Sequence, residues 1–507
     1  MQPDADCSSD ASNHCAVCDK LAAMASSMTR RGFVGAAASG LAGQLARADD
    51  SRPNILWICT DQQRWDTIRS LGNEYIRTPN IDRLVANGVA FEKAYCQSPI
   101  CTPSRAGFMT GMYPSAVHGC MNGNDRWDNA APLVTKLLAD AGYDCGLAGK
   151  FHLSGAQGRI EPRVDDGYRV FHWSHHPHDD WPEGHSYIEW LKSQGRDYDS
   201  IYQELGFIPS EYHQTTWCAD RAIDFMREER KQPWLFSLNC FDPHSPFDPP
   251  QEWLDHYPES SMPGPLFRES DLAAQERLKN VNFQRTPRRP EELDAKSFQA
   301  KYYAMIELID HNVGRMLDAL EESGQIENTV VIFTSDHGET LGDHGLLLKG
   351  CRFYESLVRV PLVVSWPGRF RQGLRSQALV ELTDLAPTLL ELAGVTVPMS
   401  MQGKPLTDLL EGKSPADRHR EFVRSEYYRA LAGVQSFGTM VRSERFKQVI
   451  YHGHGLGELF DLEADPGEFD NLWDDDRLGQ VRHDHMVMNF DALALATDVG
   501  QPRVTRF

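Results

Sequence analysis

Short apolar runs bounded by polar or turn residues recur along this chain, with helical patterns between them. That alternation restricts the fold more than any other feature. Asn54 to Thr60, Trp234 to Asn239, Thr329 to Ser335 and Val360 to Trp366 read as buried strands, and Cys145 to Ala148 as a shorter one. Helical patterns cover Pro79 to Asn87, Leu133 to Ala141, Trp217 to Glu229 and Phe298 to Ser323. Thr78 is placed to cap the first of these, with Pro79 at its first helical position. Strands alternating with helices predict an α/β fold, a large mixed and mostly parallel sheet flanked by helices. The pattern changes after a helix over Leu382 to Leu392. Phe437 to Arg442 and Phe446 to Tyr451 alternate as short strands, so a smaller C-terminal α+β subdomain with an antiparallel sheet is expected. Residues 258–292, rich in Pro, Arg and Glu, read as a long surface excursion.

The residues just beyond the strands point to chemistry. The first strand ends in Asp61-Gln62, the run near 145 in Gly149-Lys150-Phe151-His152, the run from Trp234 in Asp242-Pro243-His244, and the run from Thr329 in Asp336-His337-Gly338-Glu339. Open α/β sheets bind ligands beyond the carboxyl ends of their strands. Four strand ends therefore deliver carboxylates, histidines and a lysine to one edge. A fifth element joins them: Cys101-Thr102-Pro103-Ser104-Arg105, followed by Ala106-Gly107-Phe108-Met109-Thr110-Gly111. A buried structural thiol could occupy that position, since free cysteine packs as a small hydrophobe.

This last run resembles the signature C-x-P-S-R-x-x-x-x-T-G of the type I, formylglycine-dependent sulfatases in the alkaline phosphatase superfamily. The resemblance extends over most of residues 53–475, with the motifs in the family's order, and includes a closing segment Glu458-Leu459-Phe460-Asp461-Leu462, Asp465-Pro466-Gly467-Glu468 and Asn471-Leu472. It implies an alkaline phosphatase-like fold and a nucleophile made from Cys101 by a formylglycine-generating maturation enzyme. It also implies a divalent metal on Asp61, Gln62, Asp336 and His337, with residue 101 completing the site. Many family members carry a second aspartate where this chain has Gln62, and some have Asn in place of His337. Two carboxylates, an amide oxygen and an imidazole suit Ca2+, and also Mn2+ or Mg2+. By the same resemblance Arg105 steadies the nucleophile, and Lys150 bridges it and a sulfate oxygen. His152 takes the proton that releases the sulfated intermediate, while His244 and Lys349 contact sulfate and the leaving-group oxygen. The expected substrate is a small-molecule or glycan sulfate ester. A phosphonate or phosphate monoester hydrolase of the same superfamily is the nearest alternative, and a non-catalytic anion-binding protein the alternative from another class.

Other features set the boundaries. Among 507 residues the net charge is -21, which excludes a general nucleic-acid or anionic-membrane binder and requires a local basic pocket for any anionic substrate. No run in the body of the chain has transmembrane length, so no stable membrane insertion is expected. Thr29-Arg30-Arg31-Gly32-Phe33-Val34, a mild apolar stretch to Leu45 and Ala46-Arg47-Ala48 look like a twin-arginine signal peptide. The implied organisation is an N-terminal extension and signal over 1–48, a catalytic domain over 49–412 and a C-terminal subdomain over 413–507. It also implies export by the twin-arginine machinery to the periplasm or beyond. Cys15-Ala16-Val17-Cys18 is a lone C-x-x-C pair and weak as a metal motif. His175-His176-Pro177-His178-Asp179-Asp180 is expected near the substrate entrance, and His118, Asn122 and Asn124 are weaker candidates for facing substrate.

Overall fold

The computed structural model describes residues 52–178, 180–497 and Thr505. The signal read at 29–48 and the Cys15/Cys18 pair lie outside these residues. Nine strands form the main sheet: β1 (Asn54–Thr60), β2 (Val89–Tyr95), β3 (Asp144–Gly149), β4 (Val170–Trp173), β5 (Trp234–Asn239), β6 (Thr329–Ser335), β7 (Arg359–Val360), β8 (Leu362–Ser365) and β9 (Leu374–Glu381). Their order is β4-β3-β5-β1-β6-β8-β2-β7, with β9 also paired to β2. The five strands from β4 to β6 in that order are all parallel, while β8 runs antiparallel to both β6 and β2. The sheet is therefore mixed and mostly parallel.

Both faces are covered, which explains the unbroken apolar runs. Along β1, Ile55, Trp57 and Cys59 enter one core, and Leu56 and Ile58 the other. β6 does the same with Val330 and Ile332 against Val331 and Phe333. The run Val360 to Trp366 is not one strand. Pro361 has no N–H to give a ladder, so β7 ends at Val360 and pairs with β2, and β8 begins at Leu362.

Thr78 does precede the helix Pro79–Ala86, but its side chain does not cap it. Its Oγ1 accepts from Arg69 N at 2.8 Å and donates to Asp82 Oδ1 at 3.1 Å. The cap comes from the helix Ala295–Glu322, where Asp310 Oδ1 accepts from Asn80 N at 3.0 Å and Ile81 N at 2.7 Å. Nor is 258–292 a free excursion. It contains the helix Glu269–Arg277, buries Leu278 and Val281, and is tied back by Arg352 Nη2 donating to Leu278 O at 3.1 Å.

The C-terminal sheet is an antiparallel meander of β10 (Val423–Tyr428), β11 (Phe437–Arg442), β12 (Phe446–Tyr451) and β13 (Leu456–Asp461). The helix Gly479–Leu495 lies on it through Ser443 Oγ to His485 Nε2 at 2.9 Å and Gln448 Nε2 to Arg482 O at 2.9 Å. Both sheets belong to one compact unit, Pro53–Phe507. A buried clasp joins them: Lys447, 0% exposed, donates to Phe353 O at 2.7 Å and Glu355 Oε1 at 3.2 Å, and forms an ion pair with Glu468 Oε1. Burial pushes the Glu468 carboxyl up and Lys447 only partly offsets this, leaving it at about 7. Burial acts on Glu355 too, but Lys447, Arg359 and Arg442 outweigh it and hold that carboxyl at about 2. Among the described residues all eight cysteines are unpaired, and no helix is long and apolar enough to cross a membrane.

Candidate active site

The carboxyl ends of β1, β3 and β6 meet the start of the helix Cys101–Thr110. Asp61, Cys101, Asp336 and His337 are all buried, and one donor atom from each lies within 4.8 Å of the others. Cys101 Sγ is 3.5 Å from Asp61 Oδ1 and 3.1 Å from His337 Nε2. Gln62 N and His337 N both donate to Asp336 Oδ1, at 3.0 and 2.9 Å. His337 Nδ1 lies 2.8 Å from Gly338 O, to which only a ring N–H can donate, so Nε2 is the ring nitrogen that would offer a lone pair to a cation.

Three cations surround these groups. Lys150 Nζ donates to Asp61 Oδ2, and Lys349 Nζ lies 2.9 Å from Cys101 Sγ. Arg105, one turn along the helix, donates from Nε to Asp336 Oδ2 at 2.9 Å and from Nη1 to Lys150 O at 2.8 Å. Three basic side chains, Arg105, Lys150 and Lys349, thus line this pocket in a chain whose net charge is -21. Burial and the Cys101 sulfur push the Asp61 carboxyl up, yet Lys150, His244 and Lys349 bring it down to about 2. Burial likewise raises the Cys101 thiol, and Lys150, Lys349 and His337 overcome this to hold it well below its ordinary 9.0. The helix start adds its own positive end. There Asn122 Oδ1 accepts from Thr102 N at 3.3 Å, so this weaker candidate supports the helix that carries Cys101.

His152 follows β3 with a left-handed φ of 57°. Burial and then Lys150 depress its ring to about 4, so it is neutral at neutral pH. The strand end before it is tight. Gly149 has φ +108°, and a Cβ there would collide with the carbonyl oxygen of Asn239, which accepts from Lys150 N at 2.9 Å. His244 lies at the margin: its ring is 4.8 Å from that of Phe241, over which Lys150 Nζ sits at 5.3 Å. The histidine tract reaches the site only in part. His175 packs edge-on against His152 at 4.8 Å, whereas His178 Nε2 pairs with Asp248 Oδ2 at 3.0 Å and Tyr198 OH at 3.1 Å.

Two buried acids are given no role by the sequence reading. Glu161 accepts from the backbone N–H of His152 at 2.7 Å, of Leu153, and of Ser154 at 2.9 Å, and from Trp173 Nε1 at 3.1 Å. No local motif marks it. Glu339 accepts from Gln62 Nε2, and its only sequence signal is its place directly after Asp336-His337-Gly338.

The residues present fit a divalent cation. Two carboxylates and an imidazole lone pair converge, and Gln62 Oε1 is buried without a hydrogen-bond partner in the protein. A buried, unmatched acceptor on a residue whose backbone N–H binds Asp336 is what an oxygen-liganded cation would satisfy.

Comparison with known proteins agrees with this geometry. Residues 53–395 match the sulfatase family, and residues 342–493 match the C-terminal region of N-sulphoglucosamine sulphohydrolase. An arylsulfatase from Clostridium perfringens is 32% identical over 457 residues, covering 83% of this chain and 90% of its own length. An N-acetylglucosamine-6-O-sulfatase from Bacteroides thetaiotaomicron is 28% identical over 493 residues, covering 84% of each chain. The crystal structure of a phosphonate monoester hydrolase from Agrobacterium radiobacter superposes with a TM-score of 0.76 at 25% identity, covering 90% of this chain and 98% of that one.

Proposed function

The chain belongs to the sulfatase family and is a sulfuric ester hydrolase; from that premise we propose that it is exported and cleaves a sulfate monoester of a carbohydrate or other small organic molecule. Residues 49–412 carry the chemistry in this reading, and 413–507 buttress it. The observation that carries it most is Cys101 at a helix start with Lys349 Nζ 2.9 Å from its sulfur and the Asp61, Asp336 and His337 donors around it. When present, a divalent cation on Asp61, Gln62, Asp336 and His337, with calcium the best match, supplies a Lewis acid, and formylglycine at residue 101 supplies an oxygen nucleophile.

The chain's own groups do the rest. Arg105 holds Asp336 and offsets charge beside residue 101. Lys150 and Lys349 neutralise sulfate oxygens, and Lys349 or His244 delivers a proton to the departing alcohol. His152, kept neutral by its surroundings, takes the proton from the side chain of residue 101 that frees the sulfate. The sulfated-sugar preference draws on the N-acetylglucosamine-6-O-sulfatase among the relatives.

A second reading, phosphonate monoester hydrolysis, is favoured by the likeness to the Agrobacterium enzyme. Paired assays on sulfate and phosphonate esters decide between the two: higher kcat/KM on sulfate is expected, and a clear preference for the phosphonate would refute the proposal. Turnover of either ester excludes a mere anion binder. Peptide mass spectrometry on the tryptic fragment Ala94–Arg105, from active protein co-expressed with a maturation enzyme, is expected to show aldehyde at residue 101 rather than thiol. Fractionation of the source cells tests export.

A further inference from the structure

We propose that Glu339 is a positioning residue that holds the side-chain amide of Gln62 with its oxygen, and not its nitrogen, toward the cation site. The inference rests on the metal-ligand reading of Gln62 given above. Glu339 is fully buried, and its two oxygens have separate partners. Oε2 accepts from Gln62 Nε2. Oε1 accepts from the backbone N–H of Leu341 at 3.0 Å and of Leu348, with a longer bond from Thr340 Oγ1 at 3.4 Å.

The three residues bound through Gln62 Nε2, Leu341 N and Leu348 N share an unusual backbone. Gln62, Leu341 and Leu348 have φ of 71°, 50° and 73°, a left-handed region that bulky residues rarely enter. One carboxylate ties them together, and Leu348 directly precedes Lys349. Glu339 thus fastens both a metal-ligand side chain and the loop that brings Lys349 to residue 101.

The chemistry of an amide makes the orientation matter. Its oxygen has lone pairs for a cation, whereas its NH2 has only N–H donors to present. Glu339 Oε2 accepts from Gln62 Nε2, so the NH2 of Gln62 faces Glu339. Gln62 Oε1 is then left buried and unmatched by any protein donor. The two residues belong to different strand ends, which places the control of one ligand on the loop that follows the other two.

Counting acceptors gives the test. In Glu339→Gln the single remaining oxygen is claimed by the N–H groups of Leu341 and Leu348, which belong to the backbone. The new NH2 then faces Gln62, whose amide turns over to accept and offers its own NH2 to the cation. Full-length protein stripped by a chelator is titrated calorimetrically with Ca2+. E339Q is expected to bind roughly 10–100-fold more weakly than the unsubstituted chain. Q62E/E339Q is expected to recover, because the carboxylate at position 62, isosteric with the amide it replaces, accepts from the amide introduced at position 339 and still offers an oxygen. Both variants carry the E339Q change, so a merely structural loss would be common to them. Unchanged Ca2+ affinity in E339Q, no recovery in the double variant, or failure of both to fold would overturn the proposal. Failure of the unsubstituted chain to bind Ca2+, Mn2+ or Mg2+ would instead refute the metal reading itself.

Discussion

Replacing Lys447 with methionine keeps the bulk of the side chain and removes its charge from the clasp between the two sheets. The ammonium is fully buried and is shared by Glu355, Glu468 and the Phe353 carbonyl. Breaking a buried ion pair by removing one partner costs about 3–5 kcal/mol, because the remaining charge is stranded. With an unfolding entropy of roughly 2 cal/mol/K per residue, a unit the size of Pro53–Phe507 loses about 1 °C in Tm per kcal/mol, so a fall of about 3–5 °C is expected.

The size of the fall depends on pH, and its sign comes from the two carboxyls. Glu468 keeps its proton in the folded protein up to about 7 but gives it up at 4.5 when unfolded. Its contribution to stability is therefore present below 4.5 and lost as pH rises through 7. Glu355, held at about 2, behaves oppositely: its contribution is present above 4.5 and lost as pH falls toward 2. Lys447 is what lets Glu468 ionise near 7, so without it Glu468 holds its proton to higher pH and the help Lys447 gives grows as pH rises through 7, whereas between 4.5 and 7 Glu468 is protonated with or without it. The K447M deficit should accordingly be larger above pH 7 than between 4.5 and 7. Calorimetric melts of both proteins at the two conditions measure it. An equal Tm for K447M and the unsubstituted chain, or a deficit that shrinks with rising pH, would refute the reasoning.

Three further substitutions probe the active site. Cys101→Ser should fold and take up Ca2+ with normal melts while losing turnover; retained turnover would remove residue 101 as nucleophile. Lys150→Met should lower kcat by roughly 10²–10³-fold, the usual loss when one donor to a developing anion is removed. A kcat unchanged on saturating substrate would place Lys150 outside the chemistry. Gly149→Ala should fold less stably and lose kcat, since its Cβ must displace the Asn239 carbonyl that positions Lys150, and steady-state kinetics with a thermal melt would show both effects.

Strands β1, β5 and β6 could be read to the residue because they are buried on both faces and end at turn residues. The groups at their ends are equally legible, since a strand end fixes where the next side chains begin. Edge elements are not. β4 has four residues, and β9 opens with Arg375 and Gln377 exposed, so neither shows the apolar continuity of the centre. Caps and supports fail for a different reason. The carboxylate capping the helix at Pro79 comes from Asp310, 230 residues from Asn80, and Glu161 is recruited by three backbone N–H groups that no local pattern identifies. Cys101 lies between these cases. Its motif is local, but the low thiol pKa and the donors around it depend on Lys150, His337 and Lys349, far along the chain.

Cys101 is 1% exposed at the start of its helix. If residue 101 is converted to formylglycine as proposed, a second enzyme can reach such a sulfur only while the chain is still open, so the converted fraction would be settled during synthesis and not revised by later incubation. A preparation is then a fixed mixture of competent and inert molecules with the same fold. Batches should share KM and melting temperature yet differ in rate per milligram, and the ratio of rates should equal the ratio of aldehyde content. Specific activity for this protein becomes a count of molecules, and comparisons between variants require active-site titration before any kcat is assigned.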